Sequence, residues 1–370
     1  MARKKPTPEE AAATRQANLD KLSSQLEQAV EQLTTGEDWV RAIAFVARFR
    51  SRSFNNTLLI WVQHLTAYEQ GRVPEPFPSY VAGFVDWQQL GRSVMKGQPG
   101  YMIYQPVIGR FASTNPADPA SWRRLGQREN PKRGEVVRRR MVGAKPGYVW
   151  DVSQTDGEPV PERPHPLLLE GEAPAGLWEG VAQQVAEAGF ALSSAASAVE
   201  LSGANGVTDY AARTVQVRAD MDEAAQVKTL IHELAHVLMH EPGSGDRPVH
   251  RGIGEVEAES VALMVGAAYG MDTAQYTIPY VASWSTTVPD ANPLKVIRET
   301  GERVRKTALA ILDQLPAAEA GDGYPPGLTR TEPNMVAVRE PAARTKPTTT
   351  VRTLANTTVD VLPLAGRLGR

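Results

Sequence analysis

Apolar and polar residues follow two kinds of pattern along the chain, one typical of helices and the other of strands. Apolar residues that recur every three or four positions share one face of a helix, whereas alternating ones share one face of a strand. Helical spacing predicts helices over residues 18–33, 38–49, 177–188 and 293–315, and another that starts after Ser53 or Asn55. Alternation predicts strands at Tyr101–Val107 and Thr214–Arg218. Together these patterns predict an α+β fold.

The segment Thr229–His240 continues a helical pattern and contains the sequence His232-Glu233-x-x-His236. Its predicted N-cap is Asp220 or Asp222, and its predicted end is Pro242-Gly243. Residues four apart lie on one face of a helix, so the two histidines can direct their imidazoles at one ion. Two neutral imidazoles suit Zn²⁺, and Glu233 beside them is placed to act as a catalytic general base.

A zinc site of this kind needs a third protein ligand, and the next predicted helix carries three glutamates. Glu255 and Glu259 are four apart and share a face, whereas Glu257 points to roughly the opposite side. We take Glu255 as the third ligand and Glu259 as the carboxylate that orients a ligand histidine. The spacing leaves the choice between Glu255 and Glu259 open, and a solvated surface for all three is the alternative. The pattern resembles the gluzincin metallopeptidases, in which a glutamate on the next helix completes the zinc site.

The remaining histidines and one tyrosine are weaker candidates. His240 follows His236 by four residues, but its position beside Pro242 favours a local hydrogen bond. His250 and Tyr280 are possible stabilisers of the oxyanion that forms when water attacks a carbonyl, and the sequence does not rank them. His64 and His165 have no partner motif, so we interpret them as ordinary histidines.

Composition limits the class of protein. At 370 residues the chain has room for two domains, and it contains no cysteine, which excludes disulfides and thiolate ligands. No apolar run reaches the roughly 18–20 residues of a transmembrane helix, and the charged start lacks the apolar region of a secretory signal. We therefore expect a cytoplasmic protein with no membrane partner.

A basic insert, Arg110–Lys145, concentrates positive charge in a chain whose net charge is only −2. It holds ten lysines and arginines against three acidic residues, as expected of a surface that binds a phosphate backbone. The candidate DNA contacts in it are Arg123, Arg124, Arg138, Arg139 and Arg140. Trp122, Tyr148, Tyr101 and Tyr104 are candidates for stacking on bases, although aromatic residues near strands are more often core. The alternative interpretation of the insert is a disordered, solvated loop without a partner.

Segment composition predicts the domain boundaries. Residues 1–17 are polar and charged and are expected to be flexible. Residues 158–175 are rich in proline and form the predicted linker between an N-terminal domain, 18–157, and a metallopeptidase-like domain, 176–316. Residues 317–370 lack periodic apolar positions, which predicts a disordered tail.

The N-terminal half also resembles a known family. Asn56-Thr-Leu-Leu-Ile-Trp61, Trp87 and the run Leu90-Gly91-x-x-Val94-x-Lys96-Gly97 are similar to the N-terminal domain of ArdC-type antirestriction proteins. The segment Trp150–Gly157 looks like the strand and turn that close this domain in relatives. The resemblance implies a domain that binds single-stranded DNA, followed by a gluzincin-like metallopeptidase domain. The further DNA-binding candidates that it implies are Asn56, Trp87, Arg92 and Lys96.

The resulting functional hypothesis is an antirestriction-type protein of mobile genetic elements that binds single-stranded DNA and carries a zinc-dependent peptidase domain. It would hold one Zn²⁺ per chain and act on a protein substrate, with Glu233 as the general base. Two alternatives remain open. One is a metalloprotease that cleaves a regulatory protein, similar to the ImmA/IrrE type, and the other is a DNA-protection protein whose zinc is purely structural.

Overall fold

The computed structural model describes residues 7–160, 171–242, 251–272, 278, 281–286, 291–316, 322–326 and 328. Within these ranges the helices are α1 Pro8–Glu31, α2 Gly36–Arg48, α3 Phe54–Glu69, α4 Phe84–Gln89, α5 Leu177–Glu187, α6 Glu223–His240, α7 Arg251–Ala268, α8 Val281–Ser285 and α9 Pro293–Leu312. The strands are β1 Val81–Gly83, β2 Arg92–Val94, β3 Tyr101–Ser113, β4 Arg123–Arg124, β5 Val136–Asp151, β6 Thr155–Gly157, β7 Ala191–Ala195, β8 Gly206–Asp209 and β9 Thr214–Arg218. The mixed helix and strand content agrees with the predicted α+β class.

Helix α1 begins at Pro8 and not at Asn18. The expectation that residues 1–17 are flexible is therefore wrong for residues 8–17. The Thr7 side chain accepts a hydrogen bond from the Glu10 amide, and the Glu10 carboxylate accepts one from the Thr7 amide at 2.7 Å. This capping box, with proline in the first turn, starts the helix. The first turns are exposed and polar, which is why apolar periodicity does not reveal them.

The caps of α3 and α6 explain why these helices start where they do. Ser53 caps α3 by accepting a hydrogen bond from the Asn56 amide, which decides between the two predicted caps. Asp222 caps α6 by accepting one from the Ala225 amide at 2.8 Å, and α6 ends at His240, close before Pro242. Strong caps therefore fix the register of the helix that carries the paired histidines.

The larger sheet is antiparallel, with strand order β1-β5-β3-β4. Strands β3 and β5 pair from Tyr101↔Val149 to Ser113↔Val136, so the strand predicted at Tyr101–Val107 is longer than expected. The basic insert is therefore the outer half of a ribbon formed by β3 and β5, with the short β4 beside β3, and not a disordered loop. Its side chains are mostly exposed.

The smaller sheet has the order β7-β9-β8, with β7 parallel and β8 antiparallel to β9. The predicted strand Thr214–Arg218 is its central strand. Strand β8 lies at the sheet edge and packs against α6, so it is an edge strand beside the helix that carries the paired histidines.

The hydrophobic core continues across the predicted domain boundary. Its larger cluster includes Leu26, Trp39 and Leu58 from the first half and Val181, Leu234, Val261 and Ile311 from the second. The Trp39 indole also donates a 2.8 Å hydrogen bond to the Ser260 hydroxyl on α7. The two expected domains thus share one core, because α2 packs directly on α7. Residues 161–170 of the predicted linker lie outside the described residues.

Part of the expected disordered tail has a defined place. The Gly323 carbonyl accepts a 2.9 Å hydrogen bond from the Val81 amide at the start of β1. Gly323 has a φ of +78°, and a Cβ there would clash with the Phe49 ring, so glycine permits this close approach. The prediction of disorder is therefore wrong for residues 322–326. Among the described helices, none is long and apolar enough to cross a membrane.

Candidate functional site

Helices α6 and α7 pack together and place three potential metal ligands at one point. The Nε2 atoms of His232 and His236 are 3.0 Å apart, and Glu255 Oε2 lies 3.6 Å from each of them. Ligand atoms of a tetrahedral zinc site with bonds of about 2.0–2.2 Å are roughly 3.3–3.6 Å apart. The donor set and its spacing therefore fit a small divalent cation. The carboxylate at this point is Glu255 and not Glu259.

Glu259 lies behind His232, on the side away from Glu255. Its Oε2 is 3.2 Å from His232 Nδ1, and its Oε1 is 2.8 Å from the Lys228 ammonium group. This is the position expected of a carboxylate that orients a ligand histidine. Burial raises the pKa of Glu259, but the hydrogen bonds from His232 and Lys228 outweigh burial and lower it.

The electrostatics of the three-residue cluster favour a cationic imidazole when no ion is bound. Burial alone lowers the pKa of His232, but hydrogen bonds to Glu255 and Glu259 reverse this effect and raise it to about 9. The hydrogen bonds from His232 and His236 hold the pKa of Glu255 far below its usual range. The neighbouring carboxylates therefore favour positive charge at this point, as a cation site requires.

His236 has a different environment on its far side. Its Nδ1 is 2.8 Å from His240 Nδ1, and His240 Nε2 is 3.1 Å from Glu257 Oε2. Glu257 Oε1 accepts a 2.6 Å hydrogen bond from Arg303 Nε on α9. Glu257 does turn away from Glu255, but it is only 1% exposed, so a solvated surface is wrong for this residue. The hydrogen bond predicted for His240 reaches beyond its own helix.

Glu233 lies beside the paired histidines and is held by β8. It is 5% exposed, and its Oε2 accepts a 2.7 Å hydrogen bond from the Thr208 hydroxyl. A Cβ on Gly206 would lie 2.7 Å from Glu233 Oε1 and 2.7 Å from Thr229 Cγ2. Thr208 and Gly206 stand in no recognisable motif, and only the glycines of the turn before β8 could have drawn attention to them.

Of the other candidate residues, His250, Tyr280 and His165 lie outside the described residues. His64 is buried, with Nε2 2.9 Å from the Glu75 carbonyl oxygen and Nδ1 2.9 Å from the Tyr101 hydroxyl. Burial lowers the pKa of His64, as expected of a structural, neutral imidazole.

The predicted arginines of the basic ribbon differ in whether a carboxylate forms an ion pair with them. Arg123 binds Glu135 through two hydrogen bonds of 2.8 and 2.9 Å and also contacts Glu129, which raises its pKa. Its charge is therefore largely neutralised. Within the described residues, no carboxylate forms an ion pair with the other four predicted arginines, Arg124, Arg138, Arg139 and Arg140.

One face of the ribbon combines arginines with aromatic rings, and we call it the aromatic–basic face: Phe111, Trp122, Arg124, Arg138 and Arg140. Phe111 is opposite Arg124 on one side and Arg138 on the other, and cross-strand partners share a face. The Arg138 guanidinium lies 4.7 Å from the Trp122 ring centroid, and that of Arg140 lies 5.9 Å from Phe111. Arg139 is opposite Arg110 and belongs to the other face.

The DNA-binding candidates outside the ribbon are mostly engaged within the protein. Trp87 is fully buried and donates a 3.0 Å hydrogen bond to the Trp150 carbonyl, so its prediction as a DNA contact is wrong. The Asn56 amide donates to the Tyr104 carbonyl and accepts from the Tyr104 amide, both at 2.9 Å. Asn56 therefore joins α3 to β3.

Arg92 is similarly engaged: it donates hydrogen bonds to the hydroxyl and the carbonyl of Thr155 and holds β6 in place. Lys96, in contrast, is exposed. Among the aromatic candidates, Tyr101 is buried and Tyr104 packs partly against the core, whereas Tyr148 is 48% exposed.

Comparison with known proteins agrees with the family resemblance of the N-terminal half. Residues 12–150 match the family model for the N-terminal domain of anti-restriction factor ArdC. This part of the chain is thus similar to the N-terminal domain of ArdC. An uncharacterized protein of Bacillus anthracis is 25% identical over 301 residues, which cover 76% of this chain and 49% of that protein. The chain spans about half the length of this curated relative.

Two crystal structures are also similar to this chain, both of the antirestriction protein ArdC from the R388 plasmid. The metal-free structure is 16% identical with a TM-score of 0.44, and the match covers 78% of this chain and 97% of the ArdC chain. The Mn(II)-bound structure is 19% identical with a TM-score of 0.41, and the match covers 71% of this chain and 88% of the ArdC chain.

Proposed function

We propose that this chain is an antirestriction-type protein of mobile genetic elements that binds single-stranded DNA and carries a zinc-dependent peptidase site. The observation that carries the peptidase part is the convergence of His232 Nε2, His236 Nε2 and Glu255 Oε2, with Glu233 on the same helix. The ArdC N-terminal match supports the antirestriction part.

In the proposed site, His232, His236 and Glu255 hold the ion, and Glu259 keeps the His232 ring in position. A zinc ion bound by these residues would polarise a peptide carbonyl and lower the pKa of a water molecule. Glu233 would take a proton from the attacking water and pass it to the leaving nitrogen. The Thr208 hydroxyl, which donates a hydrogen bond to Glu233, would hold the carboxylate in position for these transfers.

The edge strand β8 is the proposed binding place for a protein substrate. An extended peptide can add to an exposed sheet edge through main-chain hydrogen bonds. A cleft of about 640 Å³ runs beside β8, with Val207, Asp209, Tyr210 and Glu241 among its lining residues. Because Thr208 of this strand contacts Glu233, a peptide paired with β8 would lie next to the general base.

For DNA, the proposed contact surface is the aromatic–basic face of the ribbon. Its arginines can bind phosphates, and the partly exposed Trp122 and Phe111 rings can stack on unpaired bases. Duplex DNA keeps its bases stacked inside, so this combination favours single strands. Lys96 is the one residue of the four implied DNA contacts outside the ribbon that keeps an exposed side chain for this role.

A second candidate function is DNA protection by binding alone, without hydrolysis. The ribbon favours this alternative, since it lies on strands that carry none of the proposed ligands. The experiment that separates the two functions measures transfer of unmodified plasmid DNA into cells that contain a restriction system. It compares the wild type, Glu233→Gln and Arg138→Ala/Arg140→Ala.

If both sites contribute, both variants lose protection while Glu233→Gln retains full single-strand binding. Protection that survives in Glu233→Gln would show that hydrolysis is dispensable and would support the second function. Protection that survives in the arginine variant would contradict the DNA surface. A regulator-cleaving protease of the ImmA/IrrE type would show no protection at all.

A further inference from the structure

A chain of polar side chains runs from the back of His236 into the protein interior. It passes from His236 to His240, then to Glu257 and finally to Arg303. The separations are 2.8, 3.1 and 2.6 Å, all within hydrogen-bond distance. His240 is 8% and Glu257 1% exposed, so water contributes little to this chain.

The position of each proton along this chain can be deduced from His236, the member that faces the proposed metal site. His236 presents Nε2 to Glu255 and His232, so as a neutral ligand it carries its proton on Nδ1. That N–H can donate only to an unprotonated Nδ1 of His240. The neutral His240 ring then carries its proton on Nε2 and donates to Glu257 Oε2. Arg303 donates to the other oxygen of the same carboxylate.

This arrangement leaves every member of the chain satisfied and the His236 Nε2 lone pair directed at the site. The reverse direction would put the His236 proton on Nε2 and prevent metal binding. A guanidinium can only donate hydrogen bonds, so Arg303 keeps Glu257 an acceptor. Glu257 in turn favours the His240 tautomer protonated on Nε2, and with it the tautomer of His236 that a metal requires. The far end is also anchored, because Glu302, the residue before Arg303 on α9, accepts a 3.0 Å hydrogen bond from the Phe54 amide.

Packing alone does not account for these residue types. Removing a carboxylate from water is costly, and an apolar residue of similar size would fill the place of the buried Glu257 at lower cost. We propose that His240 is a positioning residue that, with Glu257 and Arg303, fixes the orientation and tautomer of His236. This inference rests on the proposed metal site. It gives the two ligand histidines different supports: His232 contacts a carboxylate directly, whereas His236 reaches one through a second imidazole.

The test compares two substitutions of His240 in the full chain, with zinc affinity measured by competition against a chromophoric chelator. His240→Phe keeps a ring but removes the acceptor, and we expect zinc affinity to fall about 10–100-fold, as for other residues that orient metal ligands. His240→Asn places an amide oxygen close to the position of Nδ1, and we expect it to restore most of this loss. Tyr210→Phe is the matched control, since the Tyr210 hydroxyl donates its 3.0 Å hydrogen bond to the backbone carbonyl of His236 and is not a member of the polar chain.

A second measurement reads the tautomers directly, through the ¹⁵N shifts of the imidazoles in the zinc-loaded wild type. We expect His236 protonated on Nδ1 and His240 protonated on Nε2 only. Thermal unfolding of each variant without zinc separates a loss of metal affinity from a loss of fold.

Three results would overturn the proposal: full zinc affinity in His240→Phe, no recovery in a folded His240→Asn, or a His240 ring protonated on Nδ1. A wild type that binds no zinc would instead overturn the proposed metal site, and the positioning role with it.

Discussion

The hydroxyl of Thr208 donates a 2.7 Å hydrogen bond to the Glu233 carboxylate, which ties the edge strand of the small sheet to the proposed metal helix. The contact requires close approach of β8 to α6, and Gly206 permits that approach because it has no side chain. The position of the proposed general base thus depends on two residues that precede it by more than twenty positions.

Gly206→Ala should destabilise the protein, because the added methyl group would lie 2.7 Å from both Glu233 and Thr229. We expect a loss of about 1–3 kcal/mol in the free energy of unfolding, typical of overpacking. Urea denaturation measures it, with Gly143→Ala as the control, since a Cβ at Gly143 meets nothing within 4 Å. Equal stability of the two variants would show that β8 can move away from α6.

The ribbon should dominate the salt dependence of single-strand binding. For Arg138→Ala/Arg140→Ala we expect about tenfold weaker binding of a labelled oligothymidine at low salt. The slope of log affinity against log salt should fall by about 1.4, because each lost phosphate contact accounts for roughly 0.7. Fluorescence anisotropy measures both quantities.

The control for this ribbon variant is Lys295→Ala, which removes an exposed charge from α9. If Lys295→Ala weakens binding as much as the ribbon variant does, the effect is one of net charge and the ribbon is not the contact surface.

Asp38 should contribute stability that disappears in acid. Its burial raises its pKa, but hydrogen bonds from the Thr35 amide and hydroxyl and from Arg41 outweigh this and lower it to about 2, from 3.8. The folded state therefore binds the proton less readily than the unfolded state. The contribution is complete above pH 3.8 and is lost as the pH falls towards 2.

Asp38→Asn should accordingly cost about 1–2 kcal/mol at pH 7, in the range of a lost helix cap. The difference from the wild type should shrink as the pH falls from about 4 to 2 in urea unfolding experiments. Asp20→Asn, at an exposed site on α1, serves as the control for the loss of one surface carboxylate. A deficit that stays constant down to about pH 2 contradicts the assigned role of the Asp38 carboxylate.

The sequence predicted best what depends on neighbours along the chain. The paired histidines share a face because they are four residues apart, and Asp222 fixes the register of their helix. Asn56 and Trp87 show where such reasoning fails. The residues were recognisable, but their burial and their partners Tyr104 and Trp150 depend on distant strands.

The polar partners of the site were missed for the same reason. Glu257 meets Arg303 across 46 positions and Thr208 meets Glu233 across 25, and no local pattern encodes either contact. The same holds for the ribbon. The charges of the basic insert were visible in the sequence, but the pairing of β3 with β5 was not. That pairing determines which arginines share a face with Trp122.

The most direct test of the account is the zinc content of the purified chain and of three folded variants, His232→Ala, Glu255→Ala and Glu259→Ala, measured by elemental analysis together with zinc affinity. The account predicts one zinc per wild-type chain and loss of stoichiometric zinc in His232→Ala and Glu255→Ala. In Glu259→Ala zinc should remain, with affinity about 10–100-fold weaker. Full zinc in His232→Ala, or zinc lost from Glu259→Ala but retained in Glu255→Ala, would contradict the proposed site.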